Sequence, residues 1–593
     1  MSKFYPLFTW VIFGLLILYL LLRAYFLEPL HDEAATFFHY IESGSIWGEN
    51  MMLDANNHLL NSAICHLIYL IFGEHFFFLR LPNVFAFAFY FWGIYRFIKP
   101  IGSSLYKSFI LLGTTCIPFI LEYFAYTRGY GISIGLFVFS LHYIRNFIES
   151  KSIKSAYISS LLLCIAVYAN LNFILTLILM ALLFVLIQWM YKEAFSRKQH
   201  FLLFLNYALL GVLNLPNLYY AHILRANGAL YYGSLDGFWE VTGKTLAKYT
   251  IFHDLVWLKY GSLIIIALLI FYFIKRWIKL GAFNFFSESS TVLAWFLFGN
   301  CIAILLMAKV LGVNYPEDRV GMHLVILFLL MMGFVLNQIK KISWLMVVML
   351  FFPITMIPRI NLSTSVFSPD DRISKSFFNQ VVKELDPYTT ISIYPIQQLT
   401  WAYLSRGLES DNFMISQRDF NRTSEIVFTK STLFSDQEFL DDYNVIAHNP
   451  LATHVAYKRK SLYLKKLIFQ KSVNVRNSKE NYILIFKSII PDSLRNRKLQ
   501  FHFHADMEAD NTYREFASFN FNIIDNSSNS LDYRFHNLRW NKGTRKSFPV
   551  NFNYAIEQLD ANANEISLYI RNRKNENFSI KNGSFEILEL LDI

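Results

Sequence analysis

Cysteine is scarce in this chain, and none follows residue 301. The four cysteines lie in apolar surroundings at Cys65, Cys116, Cys164 and Cys301. We therefore expect no disulfide bonds in the C-terminal part, although their absence does not identify its compartment. A signal-peptide cleavage site is also missing, because no small-residue motif follows the hydrophobic segment 7–27. We expect this segment to remain in the protein as a membrane span.

The chain is more apolar than an ordinary soluble protein. Of its 593 residues 54% are hydrophobic, and the mean hydropathy is +0.34. Apolar runs of about 20 residues, the length that a helix needs to cross a bilayer, recur up to residue 357. The net charge of +11 comes largely from basic residues between these runs, as in cytoplasmic loops. The sequence therefore predicts an integral membrane protein and no nucleic-acid partner.

Basic clusters between the hydrophobic runs define the expected topology. They are all cytoplasmic if the N-terminus is cytoplasmic and the chain crosses eleven times, which places the C-terminal part outside. The predicted spans are 7–27, 77–97, 107–124, 130–147, 155–171, 173–191, 201–219, 261–279, 291–310, 320–338 and 342–357.

Segment 59–73 is too short for a confident span. Counting it as a crossing would move Arg96, Lys99 and Lys107 to the outside and invert the later loops. We expect instead a helix that lies along the outer membrane surface.

The predicted fold class is a polytopic α-helical membrane protein with a C-terminal extracytoplasmic α/β plus β-sandwich region. The membrane domain covers residues 1–358. Residues 359–482 contain an amphipathic helix-like run and a strand-like run, which indicates an α/β region. Residues 483–593 contain seven short alternating strands, which is typical of a β-sandwich. Acceptor or glycan binding by this sandwich is a hypothesis only.

An acidic pair, Asp32 and Glu33, follows the first predicted span. A carboxylate close to the hydrocarbon is energetically costly, so the pair is a candidate functional site. Asp32 could alternatively cap a helix.

The same loop continues with polar residues that we include in the candidate site. They are His31 before the acidic pair, and Asp54, Asn57 and His58 further along. Asp54 or Asn57 could alternatively cap the surface helix.

Three later outer segments carry charged residues at span ends. The turn EYFAYTRGYG contains Glu122, Arg128 and Tyr130, and an acid near an arginine there indicates a pair or a polar cavity. Arg319 lies in NYPEDRVGMH, and Arg80 lies in LRLPN. Each arginine could alternatively extend to lipid headgroups.

In this order, the motifs resemble those of membrane glycosyltransferases of the GT-C class. The likeness is greatest to the branch of protein O-mannosyltransferases and the bacterial aminoarabinose transferase of lipid A. It covers about residues 5–340 and includes the acidic pair, the surface-helix loop 34–73, LRLPN, YTRGYG and YPEDR. The sequence departs from many relatives because no second Asp is clear in the next outer loop. The soluble part also does not look like the sugar-binding repeats of eukaryotic relatives, so no acceptor is implied.

The resemblance implies transfer of a sugar, a hexose or pentose, from a polyprenyl-phosphate donor to a protein, lipid or glycan acceptor at the extracytoplasmic face. Direct attack would invert the anomeric centre. Asp32 would be the base and Glu33 a positioning residue. Arg128, Arg319 and Arg80 would bind the donor phosphate, because a guanidinium can bind phosphate bidentately. The expected location is the bacterial inner membrane, in contact with membrane lipid.

Relatives in this branch generally work without a catalytic metal, so no cofactor is expected. A divalent cation remains an alternative, because the first outer loop contains metal-capable side chains, although without tight ligand spacing. These residues are His31, Asp32, His39, Asp54 and His58.

Two other classes of function fit many spans and membrane-edge charges. A transporter or flippase of lipid-linked sugar would usually show an inverted repeat and midplane polar residues, and neither is evident. A non-catalytic envelope assembly protein would leave the acidic loop without a role.

Overall fold

The structure is a computed structural model whose described residues fall into two compact units. The first unit comprises Met1–Leu27 and Ile46–Phe367, and the second comprises Glu28–Ser45 and Ser368–Ile593. Residues 28–45 were predicted as part of the membrane domain, but they pack with the C-terminal residues instead. The described residues are 4–48, 52–253, 256–365, 367–368, 372–406, 413–414, 422–430, 440–450, 452–495, 497–509, 517–543, 545–573 and 575–592.

The first unit is a membrane-spanning helical unit. Nine of its described helical segments are long and apolar enough to cross a bilayer, and a bent pair would make a tenth. Its helices are α1 (Tyr5–Phe26), α3 (Leu59–Phe72), α4 (Phe76–Phe97), α5 (Ser104–Thr115), α6 (Pro118–Glu122), α7 (Gly129–Ser150), α8 (Ile153–Ala169), α9 (Phe173–Met190), α10 (Arg197–Ala226), α11 (Lys244–Ile251), α12 (Val256–Phe285), α13 (Ser289–Leu311), α14 (Met322–Gln338) and α15 (Phe351–Met356). Helix α2 (His31–Thr36) belongs to the second unit.

Several spans are less regular than the sequence predicted. The predicted span 107–124 is broken, and its two parts meet at 61°. The break follows from Pro118 at the start of α6, because proline lacks the backbone N–H that would continue the helix. The predicted span 342–357 is mostly a 3₁₀ helix, Lys340–Leu350, followed by α15.

Helices α1 and α4 run antiparallel. Early residues of one contact late residues of the other: Tyr5 with Tyr95, Trp10 with Trp92, and Phe13 with Phe87. Helix α3 lies between them in the chain. If α3 also crossed the membrane, α4 would run parallel to α1, so this direction agrees with the prediction that segment 59–73 does not cross.

Helices α4 and α7 run parallel and approach closely at glycines. A Cβ atom on Gly135 would lie 2.5 Å from the carbonyl oxygen of Ala86, and one on Gly93 would lie 2.7 Å from the amide nitrogen of Phe139. Small residues allow such close packing of membrane helices. The parallel direction requires one crossing between them, which the bent pair α5–α6 supplies.

Loops that the sequence placed on one face meet at one end of this unit. Ser234 and Tyr315 form a β-bridge between two of them. In addition, Arg23, at the end of α1, donates a hydrogen bond to the carbonyl oxygen of Asn361, which follows the last helix. The helix directions therefore collect the predicted polar turns at one end of the unit.

In the second unit, residues 372–459 contain a small α/β layer. Its four-stranded sheet has the order β1-β3-β5-β4, in which β1 and β3 are parallel. Phe377, Trp401 and Phe428 lie in its core. The elements are α16 (Lys375–Val382), β1 (Ile391–Ile393), α17 (Gln398–Ser405), β3 (Ile426–Lys430), β4 (Tyr443–His448) and β5 (His454–Arg459).

Two further sheets form the β-sandwich, with orders β10-β9-β12-β7 and β2-β11-β8-β13-β6. All seven strands predicted after residue 483 are present. The sandwich begins earlier than predicted, because Leu464–Ser478 pairs with the last strand along its length. The elements are β2 (Phe413–Met414), β6 (Leu464–Ser478), β7 (Tyr482–Ile489), β8 (Leu499–Ala509), β9 (Ser518–Asp525), β10 (Ser530–Asn537), α18 (Arg539–Lys542), β11 (Ser547–Ile556), β12 (Ala563–Arg571) and β13 (Phe578–Leu591).

Candidate functional site

Arg80 holds the end of the first helix. It is buried in α4, and its guanidinium donates hydrogen bonds to the carbonyl oxygens of Ala24 at 3.0 Å and Leu27 at 2.6 Å. The last carbonyls of a helix lack intrahelical partners, so a cation there stabilises the end. These contacts give Arg80 a structural role, and its assignment to donor phosphate remains a prediction.

Glu122 pairs with an arginine that the sequence did not indicate. Its carboxylate forms a buried ion pair with Arg23 at 3.0 Å, and it accepts hydrogen bonds from Tyr126 and Ser365 at 3.0 and 2.9 Å. Arg23 also donates to the carbonyl oxygen of Thr364 at 2.7 Å. Glu122 therefore connects the end of α1 with the turn after α6 and with the residues after the last helix.

The turn that carries Arg128 is fixed by the glycine after it. Gly129 begins α7, and a Cβ atom there would lie 2.0 Å from the carbonyl oxygen of Ala169 and 2.7 Å from Cβ of His58. No other residue fits without a shift of the backbone. His58 is buried against this turn, with Nδ1 at 2.8 Å from the same carbonyl oxygen.

Arg128 and Arg319 both contact Tyr130. Arg128 is buried, donates to the side-chain oxygen of Asn56, and lies 5.9 Å from the centre of the Tyr130 ring. Arg319 is also buried, and its Nε donates to the Tyr130 hydroxyl at 3.3 Å. Two arginines that are far apart in sequence therefore meet at one tyrosine.

Aromatic rings complete the surroundings of Arg319. Its guanidinium carbon lies 4.8 Å from the ring centre of Tyr232 and 5.0 Å from that of Phe367. The Tyr232 hydroxyl donates to Asp318 at 2.6 Å, and burial raises the pKa of Tyr232 well above its ordinary value, which keeps this donor protonated. Asp318 also accepts from the backbone N–H of Arg319. These contacts fix the guanidinium plane.

His58 and Tyr130 are also in contact, with their ring centres 4.5 Å apart. We define the arginine–tyrosine cluster as Arg128, Tyr130, Arg319, His58 and Tyr232. Two planar guanidinium groups on a hydroxyl-bearing ring, buried at a span end, are suited to an anionic group such as phosphate.

Asp54 and Asn57 organise the loop before α3. Asp54 accepts from the backbone N–H of Asn56 at 2.8 Å and from the Tyr231 hydroxyl at 2.9 Å. Asn57 donates to the carbonyl oxygen of Ile46 at 2.7 Å and accepts from the Ser62 hydroxyl. The alternative of capping α3 is wrong in detail, because its N-cap is His58 and has no side-chain cap. These two residues shape the loop that presents Asn56.

The acidic pair lies at the start of α2 in the second unit. Glu33 is fully buried, and its carboxylate accepts from the backbone N–H of Leu30 at 3.2 Å. An acid here satisfies an N–H at the helix start. The capping role considered for Asp32 therefore falls to Glu33. Asp32 and His31 are only partly buried.

A buried acid that the sequence did not single out attaches this segment to the rest of the second unit. Glu42 is paired bidentately with Arg406, at 2.7 and 3.0 Å, and with Arg539 at 3.1 Å. Burial alone would raise the pKa of Glu42, but the two arginines reverse this and lower it. Phe38 packs on Trp540 beside these ion pairs.

Comparison with solved structures finds matches that cover most of this chain. The chain is similar to a crystal structure of ArnT from Cupriavidus metallidurans in the apo state, with 10% identity and a TM-score of 0.37, over 77% of this chain and 98% of that one. A second structure of that protein, bound to undecaprenyl phosphate, matches over the same shares with 10% identity and a TM-score of 0.34. A cryo-EM structure of arabinosyltransferase EmbB from Mycobacterium smegmatis matches with 10% identity and a TM-score of 0.31, over 98% of this chain and 64% of that one. Scores this low carry no argument about the site.

No protein-family model matches the chain, and no curated protein matches it. The site is therefore interpreted from its own contacts.

Sequence reasoning missed three residues. Arg23 could have been found, because it is the one charge within the apolar run of α1. Glu42 follows an apolar run and resembles an ordinary surface acid in sequence. Tyr232 carries no sequence signal, since tyrosine is common in this chain.

Within the described part of the chain, no three His, Cys, Asp or Glu side chains form a group that could hold a metal ion. The metal-capable residues of the first outer loop are divided between the two units. Asp54 and His58 belong to the first, whereas His31, Asp32 and His39 belong to the second.

Proposed function

We propose that this protein is a membrane glycosyltransferase of GT-C type that uses a polyprenyl-phosphate sugar as donor. The observation that supports the proposal most directly is the convergence of Arg128 and Arg319 on Tyr130. The arginine–tyrosine cluster lies at a span end. The phosphate of a membrane-embedded polyprenyl lipid would lie at the same depth, at the membrane surface. Transfer of the sugar to the acceptor would take place on the extracytoplasmic face.

The reaction needs a stabilised leaving group. The acceptor oxygen forms a bond to the anomeric carbon, and the bond from that carbon to the phosphate oxygen breaks. The polyprenyl phosphate leaves with the electron pair, and a base takes the acceptor proton. Two guanidinium groups in a water-poor site would stabilise the charge that develops on the phosphate.

Tyr130 would position the two arginines before the donor arrives. Its hydroxyl holds Arg319 at 3.3 Å, and its ring faces Arg128. A donor phosphate could take over these hydrogen bonds without a large movement of either side chain. Such preorganisation reduces the cost of ordering long side chains on binding.

Acceptor activation is assigned to Asp32 from the sequence alone. A carboxylate can act as a general base, which contributes about 10²–10⁴ in rate. Glu33 is committed to the helix start and would act only as a positioning residue.

The donor site can be tested with undecaprenyl phosphate as the probe. The full-length protein in detergent should bind it, and Arg128→Ala and Arg319→Ala should each weaken binding about ten-fold or more, since charge-assisted hydrogen bonds contribute about 1.5–3 kcal/mol. Tyr130→Phe should have a smaller effect, and Arg225→Ala is the matched control, because Arg225 is exposed at the end of α10. Equal binding by all four variants would contradict the donor site.

Transfer itself can be measured with a radiolabelled polyprenyl-phosphate sugar and membrane extract as acceptor. Asp32→Asn should abolish transfer without weakening binding of undecaprenyl phosphate, and normal turnover would refute the base assignment. Movement of the labelled lipid across vesicles without transfer would favour a flippase. Neither activity would favour an assembly protein.

A further inference from the structure

A cavity of about 370 Å³ opens on the side of the first unit between α1 and α4. This volume is within the range of small-molecule sites. Its walls are mainly aromatic rings and methyl groups, including Thr9, Trp10, Phe13, Ala88, Trp92 and Tyr95.

The cavity is separate from the arginine–tyrosine cluster. Its lining on α1 runs from Pro6 to Phe13, whereas Arg23 lies near the end of that helix and hydrogen bonds to Tyr126, in the turn that carries Arg128. Ten residues of helix, from Phe13 to Arg23, correspond to about 15 Å. The cavity therefore lies in the half of the span away from the cluster.

The cavity faces lipid and is apolar inside. Trp10 is 58% exposed at its edge although it lies in a membrane span. The Thr9 hydroxyl is already used, because it donates to the carbonyl oxygen of Tyr5 at 2.9 Å. An aliphatic chain fits such walls better than a polar solute.

Cations lie on the rings at one end of the cavity. The guanidinium of Arg96 is 4.8 Å from the ring centre of Trp92. The ammonium of Lys107 is 5.7 Å from the ring centre of Tyr5, which itself stacks on Tyr95. No acidic residue occurs in the sequence between Glu74 and Glu122, nor before Glu28. This end of the cavity is therefore suited to a negatively charged headgroup.

We propose that this cavity binds one acyl chain of an anionic glycerophospholipid, with its phosphate held by Arg96 and Lys107. Basic pockets between membrane helices recognise anionic headgroups, and tryptophan and tyrosine favour the membrane interface. Each cation should favour the anionic lipid by about five-fold. The site would be a structural lipid site in addition to the proposed donor site.

Native mass spectrometry of the full-length protein in detergent can test this assignment. Titration with phosphatidylglycerol should give a first-bound lipid with at least about five-fold higher affinity than phosphatidylcholine. Arg96→Ala should lower the phosphatidylglycerol affinity about five-fold and leave phosphatidylcholine unchanged. Lys99→Ala is the matched control, because Lys99 is exposed beyond the end of the same helix, and it should have no effect.

A second variant tests the cavity itself. Ala88→Phe places a ring in it and should weaken both lipids, while Arg128→Ala should leave phosphatidylglycerol binding unchanged even though it weakens binding of undecaprenyl phosphate. Equal affinity for the two phospholipids, or an equal effect of Lys99→Ala and Arg96→Ala, would overturn the proposal. Displacement of phosphatidylglycerol by undecaprenyl phosphate would also overturn it, since the occupant would then be a polyprenyl lipid.

Discussion

Each unit of the protein contains a buried glutamate that pairs with arginine, and the two arrangements connect different kinds of structure. In the first unit Glu122 pairs with Arg23, which also donates to backbone carbonyls near residue 361. In the second unit Glu42 pairs with Arg406 and Arg539, which lie 364 and 497 residues further along the chain.

The difference lies in what else holds the connected parts. The ends of α1 and α6 are already positioned by long apolar helices, so the Glu122 pair adds specificity to a packed region. Residues 28–45 are a short segment, and the ion pairs of Glu42 attach them together with the buried rings of Phe37 and Phe38. The same chemistry therefore orients the spans in one unit and attaches a segment in the other.

The largest effect is expected for Glu42→Ala. It leaves two buried arginines without their acid, which costs about 3–5 kcal/mol. Hydrogen exchange measured by mass spectrometry should show residues 31–45 exchanging at least a hundred-fold faster. Glu384→Ala, at a half-exposed ion pair with Lys458, is the control, and similar exchange in both variants would contradict the role of Glu42.

A somewhat smaller loss, about 3 kcal/mol, is expected for Glu122→Ala. Arg23 keeps its hydrogen bonds to Thr364 and Asn361, so part of its charge remains solvated by the protein. The measurement is hydrogen exchange in residues 118–126. The comparison between the units would be reversed if Glu122→Ala increased exchange in residues 118–126 more than Glu42→Ala increased exchange in residues 31–45.

Overpacking at Gly129 should cost about 2–3 kcal/mol. Gly129→Ala places a methyl group against the carbonyl oxygen of Ala169 and should shift Arg128 and Tyr130. We expect binding of undecaprenyl phosphate to fall with thermal stability. Gly211→Ala is matched, because a Cβ there meets nothing within 4 Å; it should lower neither quantity, and a loss in both variants would show a general helix effect.

Acid should loosen the second unit through His39. Burial, with help from His31 and Arg539, lowers the pKa of His39 to about 4. Its unfolded value is about 6.5, so stability is lost as the pH falls from 6.5 towards 4, by about 2 kcal/mol for this partly buried group. Because the pKa of Glu42 is lowered in the folded protein, its contribution to stability is present above the ordinary pKa of glutamate and is lost only as the pH falls below that value.

The pH effect can be measured as exchange in residues 31–45 at pH 7 and pH 4.5. His39→Phe should flatten the difference. An unchanged pH profile in that variant would assign the effect to another group.

The smallest effect is expected for Glu240→Ala, at an exposed ion pair with Lys259. Such pairs contribute roughly 0–1 kcal/mol. Thermal unfolding should be unchanged within error. A loss comparable to that of Glu122→Ala would mean that burial does not distinguish the pairs in this protein.

Much of the architecture could be predicted from the sequence because hydropathy and charge act locally along the chain. The spans, the non-crossing segment 59–73 and the seven late strands follow from run length and alternation. The break at Pro118 was predictable in principle, since proline interrupts helices. Strand β6 was missed because its residues alternate weakly and are mostly exposed.

The site was only partly predictable. Arg128, Tyr130 and Arg319 could be selected as candidates because charged and aromatic residues at span ends are unusual. Their meeting at one ring depends on helix directions that accumulate over many crossings. The partner of Glu122 and the attachment of residues 28–45 both depend on contacts between residues that are distant in the sequence. For the ion pairs of Glu42 this separation exceeds 300 residues. Local sequence patterns carry no information about such contacts.

The ion pairs of Glu42 can form only late in biosynthesis. Ribosomes add about 5–20 residues per second, so Arg539 is made about 25–100 seconds after Glu42, from which it is separated by 497 residues. The membrane spans are inserted during that interval, before both arginine partners of Glu42 have been synthesised. A chain arrested before residue 406 would carry the predicted spans but neither arginine partner of Glu42. Synthesis of residues 406–539 would therefore control when the segment with Asp32 becomes ordered.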